Sequence, residues 1–77
     1  MNMLDLHGYK KDEVFDAVDA FIMKHQNKAR VKIMTGKGAG IVHKEVLKYL
    51  KQAHYSHEFE KLPSGAPNHG VLIIHIK

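Results

Sequence analysis

From residue 3 the chain alternates apolar and polar positions. Met3 to Leu6 reads as a short strand, which His7 and Gly8 end. The period then lengthens. Val14, Ala17, Val18, Phe21 and Ile22 follow the i, i+3, i+4, i+7, i+8 spacing of one buried helical face, predicting a helix over 11–25. Asp12 and Glu13 suit the positive end of its dipole, and Lys24 and His25 the negative end. After a turn over 26–29, Arg30 to Met34 alternates again, with Val31 and Ile33 on one face. A loop, TGKGAG, follows from Thr35 to Gly40. From Ile41 to about Ala53 the helical period returns, with Val42, Val46, Tyr49, Leu50 and Ala53 on one face. SHEFEK, residues 56–61, predicts a third strand. Residues 62–70 hold both prolines and read as a loop, and Val71 to Ile76 forms the last, most apolar strand.

The order is βαβαββ. A helical crossover leaves the first two strands parallel. Each helix has one apolar stripe, so both are predicted to cover one face of a four-stranded mixed sheet, an α/β (α+β) two-layer sandwich. The pattern contains no internal repeat.

Composition narrows the picture. The 77 residues imply a single domain spanning 1–77, and without cysteine neither a disulfide nor a thiolate metal site can brace it. The longest apolar run, around VLII, is too short for a bilayer, and an acid and a histidine interrupt the N-terminus before any secretion signal could build. A cytoplasmic location is expected. Twelve Lys and Arg against eight Asp and Glu favour anionic partners, nucleic acid first.

Two stretches stand out chemically. In a parallel pair the C-terminal strand ends lie side by side, and ligands of open α/β sheets bind outside such ends. LDLHG at the end of the first strand and TGKGAG at the end of the second should therefore be neighbours. In the loop, Gly36, Gly38 and Gly40 let main-chain N–H groups approach an anion, Thr35 opens it, Lys37 adds a charge, and a helix N-terminus follows. It matches neither a Walker A motif nor a GxGxxG fingerprint. Two readings stand: a phosphate cradle, or a flexible turn with a solvated lysine.

Asp5 and His7 share a strand face opposite Leu4 and Leu6. If the helices cover Leu4, Asp5 lies on the open face, where Lys32 could form a surface ion pair with it. Imidazole changes charge near neutral pH and so can move protons, or His7 could simply bond a loop carbonyl. Asp12, Asp16 and Asp19 stripe the first helix; Lys44, Lys48 and Lys51 stripe the second. A polyanion would be repelled by the first and tracked by the second, with Arg30, Lys32 and Lys37 extending the footprint. Tyr9, Tyr55 and Phe59 could stack on a base, although Phe59 also suits the core and Tyr55 a sheet edge. His43, His54, His57, His69 and His75 show no metal-ligand spacing, so no zinc site is expected.

Leu4-Asp5-Leu6-His7-Gly8, an amphipathic helix, and Thr35-Gly36-Lys37-Gly38 opening a second helix together resemble the Smr (small MutS-related) domain family over nearly the whole chain. The resemblance implies a fold similar to the C-terminal domain of bacterial translation initiation factor three and to the DNase I half-fold. It implies binding of DNA or RNA, in some members at the ribosome, and endonuclease activity in several, linked to DNA repair or ribosome quality control. It also leaves room for a place within a larger MutS-like protein. The motif residues fall on Asp5, His7, Gly36, Lys37 and Gly38. Members often place Thr or Ser after the first motif as a helix cap; here Asp12 is the candidate. Where members often carry Arg or Lys on the second helix, this chain has His43-Lys44, and the entry to its last strand is SGAPNHG.

As an enzyme, the domain would hold a phosphate with Lys37 and loop N–H groups, move a proton with His7, and use Asp5 to orient His7 or bind Mg²⁺. RNA could supply its own 2′-hydroxyl nucleophile; DNA would need water, which Mg²⁺ would help activate. As a non-catalytic module, the same groups would only dock it on DNA, RNA or a ribosome. A protein-interaction adaptor would instead bind independently of salt and Lys37.

Overall fold

The computed structural model describes residues 1–36 and 40–77. Along them run β1 (Met3–Asp5), α1 (Lys11–Lys24), β2 (Arg30–Met34), α2 (Ile41–Gln52), β3 (Ser56–Lys61) and β4 (Pro67–His75). The sheet order is β1-β2-β4-β3. β1 runs parallel to β2, while β4 runs antiparallel to both β2 and β3.

The register explains the core. Val31 pairs with Ile74 and Ile33 with Leu72, so four apolar side chains share one face of the central strands. Val14, Val18 and Ile22 of α1 and Val46, Tyr49 and Leu50 of α2 close over that face, joined by Leu6. Both helices thus cover one side of a mixed sheet, as the periodicity predicts.

Three local expectations are corrected. Asp12 does not cap α1. The chain enters the helix at Lys10, whose main-chain N–H donates to Glu13 Oε1 at 2.9 Å, so the first turn closes on the third helical residue. Ala53 is exposed, because α2 ends at Gln52. There His54 takes φ +62°, its N–H reaches the Lys51 carbonyl, and Tyr55 N–H reaches the Leu50 carbonyl at 2.9 Å. This is a Schellman closure with histidine where glycine is usual.

The third correction concerns 62–70, which is not one loop. β4 already begins at Pro67, with Lys61 paired to Pro67 and Glu60 to Asn68, after a register shift between Phe59 and Glu60. Only a tight turn separates the strands: Leu62 N–H donates to the Ala66 carbonyl at 2.8 Å, with Gly65 at φ +90°. Pro67 is tolerated as the first residue of its strand.

Candidate nucleic-acid interface

The strand ends that carry the two motifs are adjacent. Leu4 pairs with Ile33 and Asp5 with Met34, and Leu6 N–H continues the ladder to the Met34 carbonyl at 3.0 Å. Leu4 shares the helix-covered face with Ile33, which puts Asp5 on the open face. Beyond β1 the chain turns sharply. Tyr9 N–H donates to the Leu6 carbonyl at 3.0 Å, and Gly8 takes φ +83°, a value that other residues rarely adopt. His7 stands exposed at the tip of this turn.

Asp5 has a specific task there. Its Oδ1 accepts the His7 main-chain N–H at 2.9 Å, an Asx turn that fixes residue 7 through its backbone. Lys32 is not its partner. Lys32 hydrogen-bonds and ion-pairs with Glu60 across the sheet, and that bond holds the Glu60 carboxyl below its usual range. The predicted Asp5–Lys32 pair is therefore replaced. The register shift at Phe59 and Glu60 accompanies the contact that occupies this lysine.

At the end of β2, Thr35 N–H donates to the Gly70 carbonyl at 2.9 Å, tying the start of the glycine loop to β4. Gly36 has φ +85°, and Gly40 caps α2, its carbonyl accepting Lys44 N–H at 3.3 Å. Lys37 and Gly38 lie outside the described residues. Gly70 is itself buried against the loop: a Cβ there would meet the Gly36 carbonyl carbon at 3.3 Å.

A cluster that sequence spacing does not reveal adjoins this end. His43, in the first turns of α2, lies 3.1 Å from Thr35 Oγ1 through Nδ1 and stacks on Phe59, with ring centres 5.7 Å apart and planes 5° from parallel. His69 tilts against Phe59, with ring centres 4.9 Å apart. Burial, then the nearby His69 and His57 charges, pushes the His43 imidazole below its ordinary value. Position 43 was legible as the place where a base is usual, but its stacking on Phe59, which in turn meets His69, needs the tertiary fold. Phe59 is thereby occupied as a stacking group. Tyr55 accepts a hydrogen bond from Gln26 Nε2 at 3.1 Å, and Tyr9 remains exposed.

Lys44, Lys48 and Lys51 line a groove of about 470 Å³ with Leu47 and His57. The acidic stripe of α1 lies elsewhere, and one of its members, Asp19, accepts the Tyr49 hydroxyl at 2.6 Å. Among the described residues no group of three or more acidic, histidine or cysteine side chains could hold a metal ion. No helix among them is long and apolar enough to cross a membrane.

A four-stranded mixed sheet with two helices on one face, in βαβαββ order, places the chain among α+β two-layer sandwiches. The Smr domain model matches residues 4–77, and the chain belongs to the Smr domain family. It is 34% identical over 76 residues to the endonuclease MutS2 of Streptococcus sanguinis, covering 96% of this chain and 10% of that protein. It is 35% identical over 72 residues to the endonuclease MutS2 of Streptococcus thermophilus, covering 91% of this chain and 9% of that protein. The chain thus spans about a tenth of the length of these relatives. The Smr domain of Thermus thermophilus MutS2 shares the fold over 100% of this chain and 99% of its own, with a TM-score of 0.78 at 22% identity.

Proposed function

We propose that this domain binds nucleic acid at the joined ends of β1 and β2 and cleaves its phosphodiester backbone. The observation that carries the reading is the parallel register, which sets the His7 turn beside Thr35 and Gly36. The name endonuclease borne by the MutS2 relatives agrees with it. Single-domain organisation over 1–77, a place in repair or at the ribosome, and a cytoplasmic setting belong to the same proposal; the lack of cysteine suits a reducing compartment.

In this reading the N–H groups of Gly36, Gly38 and Gly40, with Lys37, hold the phosphate and stabilise the charge that builds on its oxygens in the transition state. Thr35 anchors the loop to β4. His7 takes the proton of the nucleophile, an RNA 2′-hydroxyl or water, as its oxygen bonds to phosphorus; the P–O bond to the leaving oxygen breaks, and that oxygen takes a proton from solvent. Asp5 acts by holding the His7 backbone. Its Oδ1 already accepts that N–H, and Glu60, on the same open face of the sheet, is engaged by Lys32. Among the described residues no three such donors converge on a cation, so no step runs through a resident Mg²⁺. Lys44 and Lys48 extend the contact along α2, whereas Lys32 is largely neutralised.

Matched DNA and RNA substrates, with and without Mg²⁺ at controlled salt, test this. Cleavage should co-purify with the protein and vanish in His7→Ala, while Lys37→Ala loses binding. A His7→Ala protein that cuts as fast as the parent removes His7 from the chemistry. Salt-sensitive binding without any cleavage reduces the domain to a docking module.

A further inference from the structure

The two faces of the sheet differ in charge. Alternation along β3 sends Glu58 to the open face, where it bonds His75 Nε2 at 2.9 Å, and the shifted Glu60 engages Lys32 on the same side. His57 and Phe59 point to the helix side. On the open face Lys32 and His75 are matched by acids and Arg30, among the described residues, stands alone, whereas the α2–β3 groove gathers Lys44, Lys48, Lys51 and His57 around Leu47 with no acid in its lining. Among the described residues, the ion pairs are Lys11–Glu45, Lys32–Glu60 and His75–Glu58, and none draws on the groove lysines.

We propose that the groove between α2 and β3 is a track for an unpaired polynucleotide strand, with Lys44, Lys48 and Lys51 on its phosphates and Leu47 and His57 against a sugar or base. The track rests on the nucleic-acid reading above and specifies its substrate as single-stranded. Charge complementarity selects a polyanion. The lysines recur at i, i+4 and i+7, spanning roughly 10 Å of helix at 1.5 Å per residue. A stacked strand passes a phosphate about every 3.4 Å and an unstacked one spaces them more widely, so about two to three phosphates fall within this span. The volume, about 470 Å³, suits a nucleotide-sized group, and its apolar floor gives a base or sugar something to cover. A duplex keeps its bases stacked inside and cannot lower one onto Leu47. Because α2 starts at Gly40, a strand in the groove runs on toward the glycine loop.

Fluorescence anisotropy with 12-nucleotide oligothymidylate, oligouridylate and a 12-base-pair duplex, across a salt series, tests the track. Lys48→Ala/Lys51→Ala should lower the slope of log K against log salt by about 1.4 on single strands, two phosphates at roughly 0.7 each. The duplex slope should change far less. Lys24→Ala/Lys28→Ala, the same loss of charge elsewhere, should leave the single-strand slope near the parent value. A response on one oligonucleotide alone assigns the track to DNA or to RNA. An unchanged single-strand slope in Lys48→Ala/Lys51→Ala, an equal fall in the control, or an equal fall on duplex overturns the track and leaves the nucleic-acid reading standing. A parent protein that binds none of the three overturns both.

Discussion

Replacing Gly70 by alanine tests whether β4 sets the position of Gly36. The new Cβ would lie 3.3 Å from the Gly36 carbonyl carbon and 3.5 Å from its oxygen. Carbon atoms prefer roughly 3.5–4.0 Å, so the neighbour must yield by a few tenths of an ångström. The neighbour is backbone, and the Thr35 N–H to Gly70 carbonyl bond ties the two segments at that point. Overpacking of this kind costs about 1–3 kcal/mol. Alanine recovers about 0.5–1 kcal/mol of the entropy that glycine loses in a strand. The net loss is therefore about 1 kcal/mol, or a fall in Tm of about 4–8 °C for a domain of this size. Because the strain falls on Gly36, nucleic-acid affinity should fall too, measured by anisotropy well below the melting temperature. Gly65→Ala is the control. Its φ of +90° makes alanine strained, but open space surrounds it in the distant β3–β4 turn, so stability should drop and binding should not. A Gly70→Ala protein that melts at or above the parent and binds equally well would refute the close packing of β4 on the loop.

Three other outcomes follow from the geometry. His54→Gly should raise Tm, because relief of a left-handed residue, about 1–2 kcal/mol, exceeds the added entropy of glycine, about 0.5–1 kcal/mol; a lower Tm in differential scanning calorimetry would contradict the Schellman closure. Burial holds the His43 imidazole below its ordinary 6.5, so between the lowered value and 6.5 the unfolded chain binds more protons than the native one. Stability present above pH 6.5 should be lost as pH falls through that window, and His43→Gln should shrink the Tm difference between pH 8 and pH 5; an undiminished difference would place the titration elsewhere. Lys32→Ala should change the salt slope of binding by much less than Lys44→Ala, since Glu60 already matches its charge; equal changes measured by anisotropy would return Lys32 to the footprint.

Most of the architecture was legible because periodicity is a local property. The spacing of Val14, Val18 and Ile22, and the alternation of Val31 and Ile33, say which faces are buried before any partner is known. The parallel rule then brought the LDLHG turn beside Thr35 and Gly36. Local bonding was less legible. Glu13 rather than Asp12 closes the start of α1, because several side chains can satisfy a helix start, and His54 closes the end of α2 through its main chain, where glycine would be expected. The proline- and glycine-rich stretch after Lys61 concealed four residues of strand, since a tight turn and a strand start tolerate the same residues.

By itself, then, the sequence determined the order of elements, the core face of each, and the pairing of the two glycine-bearing strand ends. Tertiary structure alone decided which charges are free. Lys32 and Lys48 look alike along the chain, but the β3–β4 register gives one an acidic partner and leaves the other facing a groove. Packing of α2 on the β3–β4 hairpin likewise brings His43 onto Phe59, which His69 meets. The physical reason is that burial follows local spacing, whereas electrostatic pairing depends on distances set only when remote strands align.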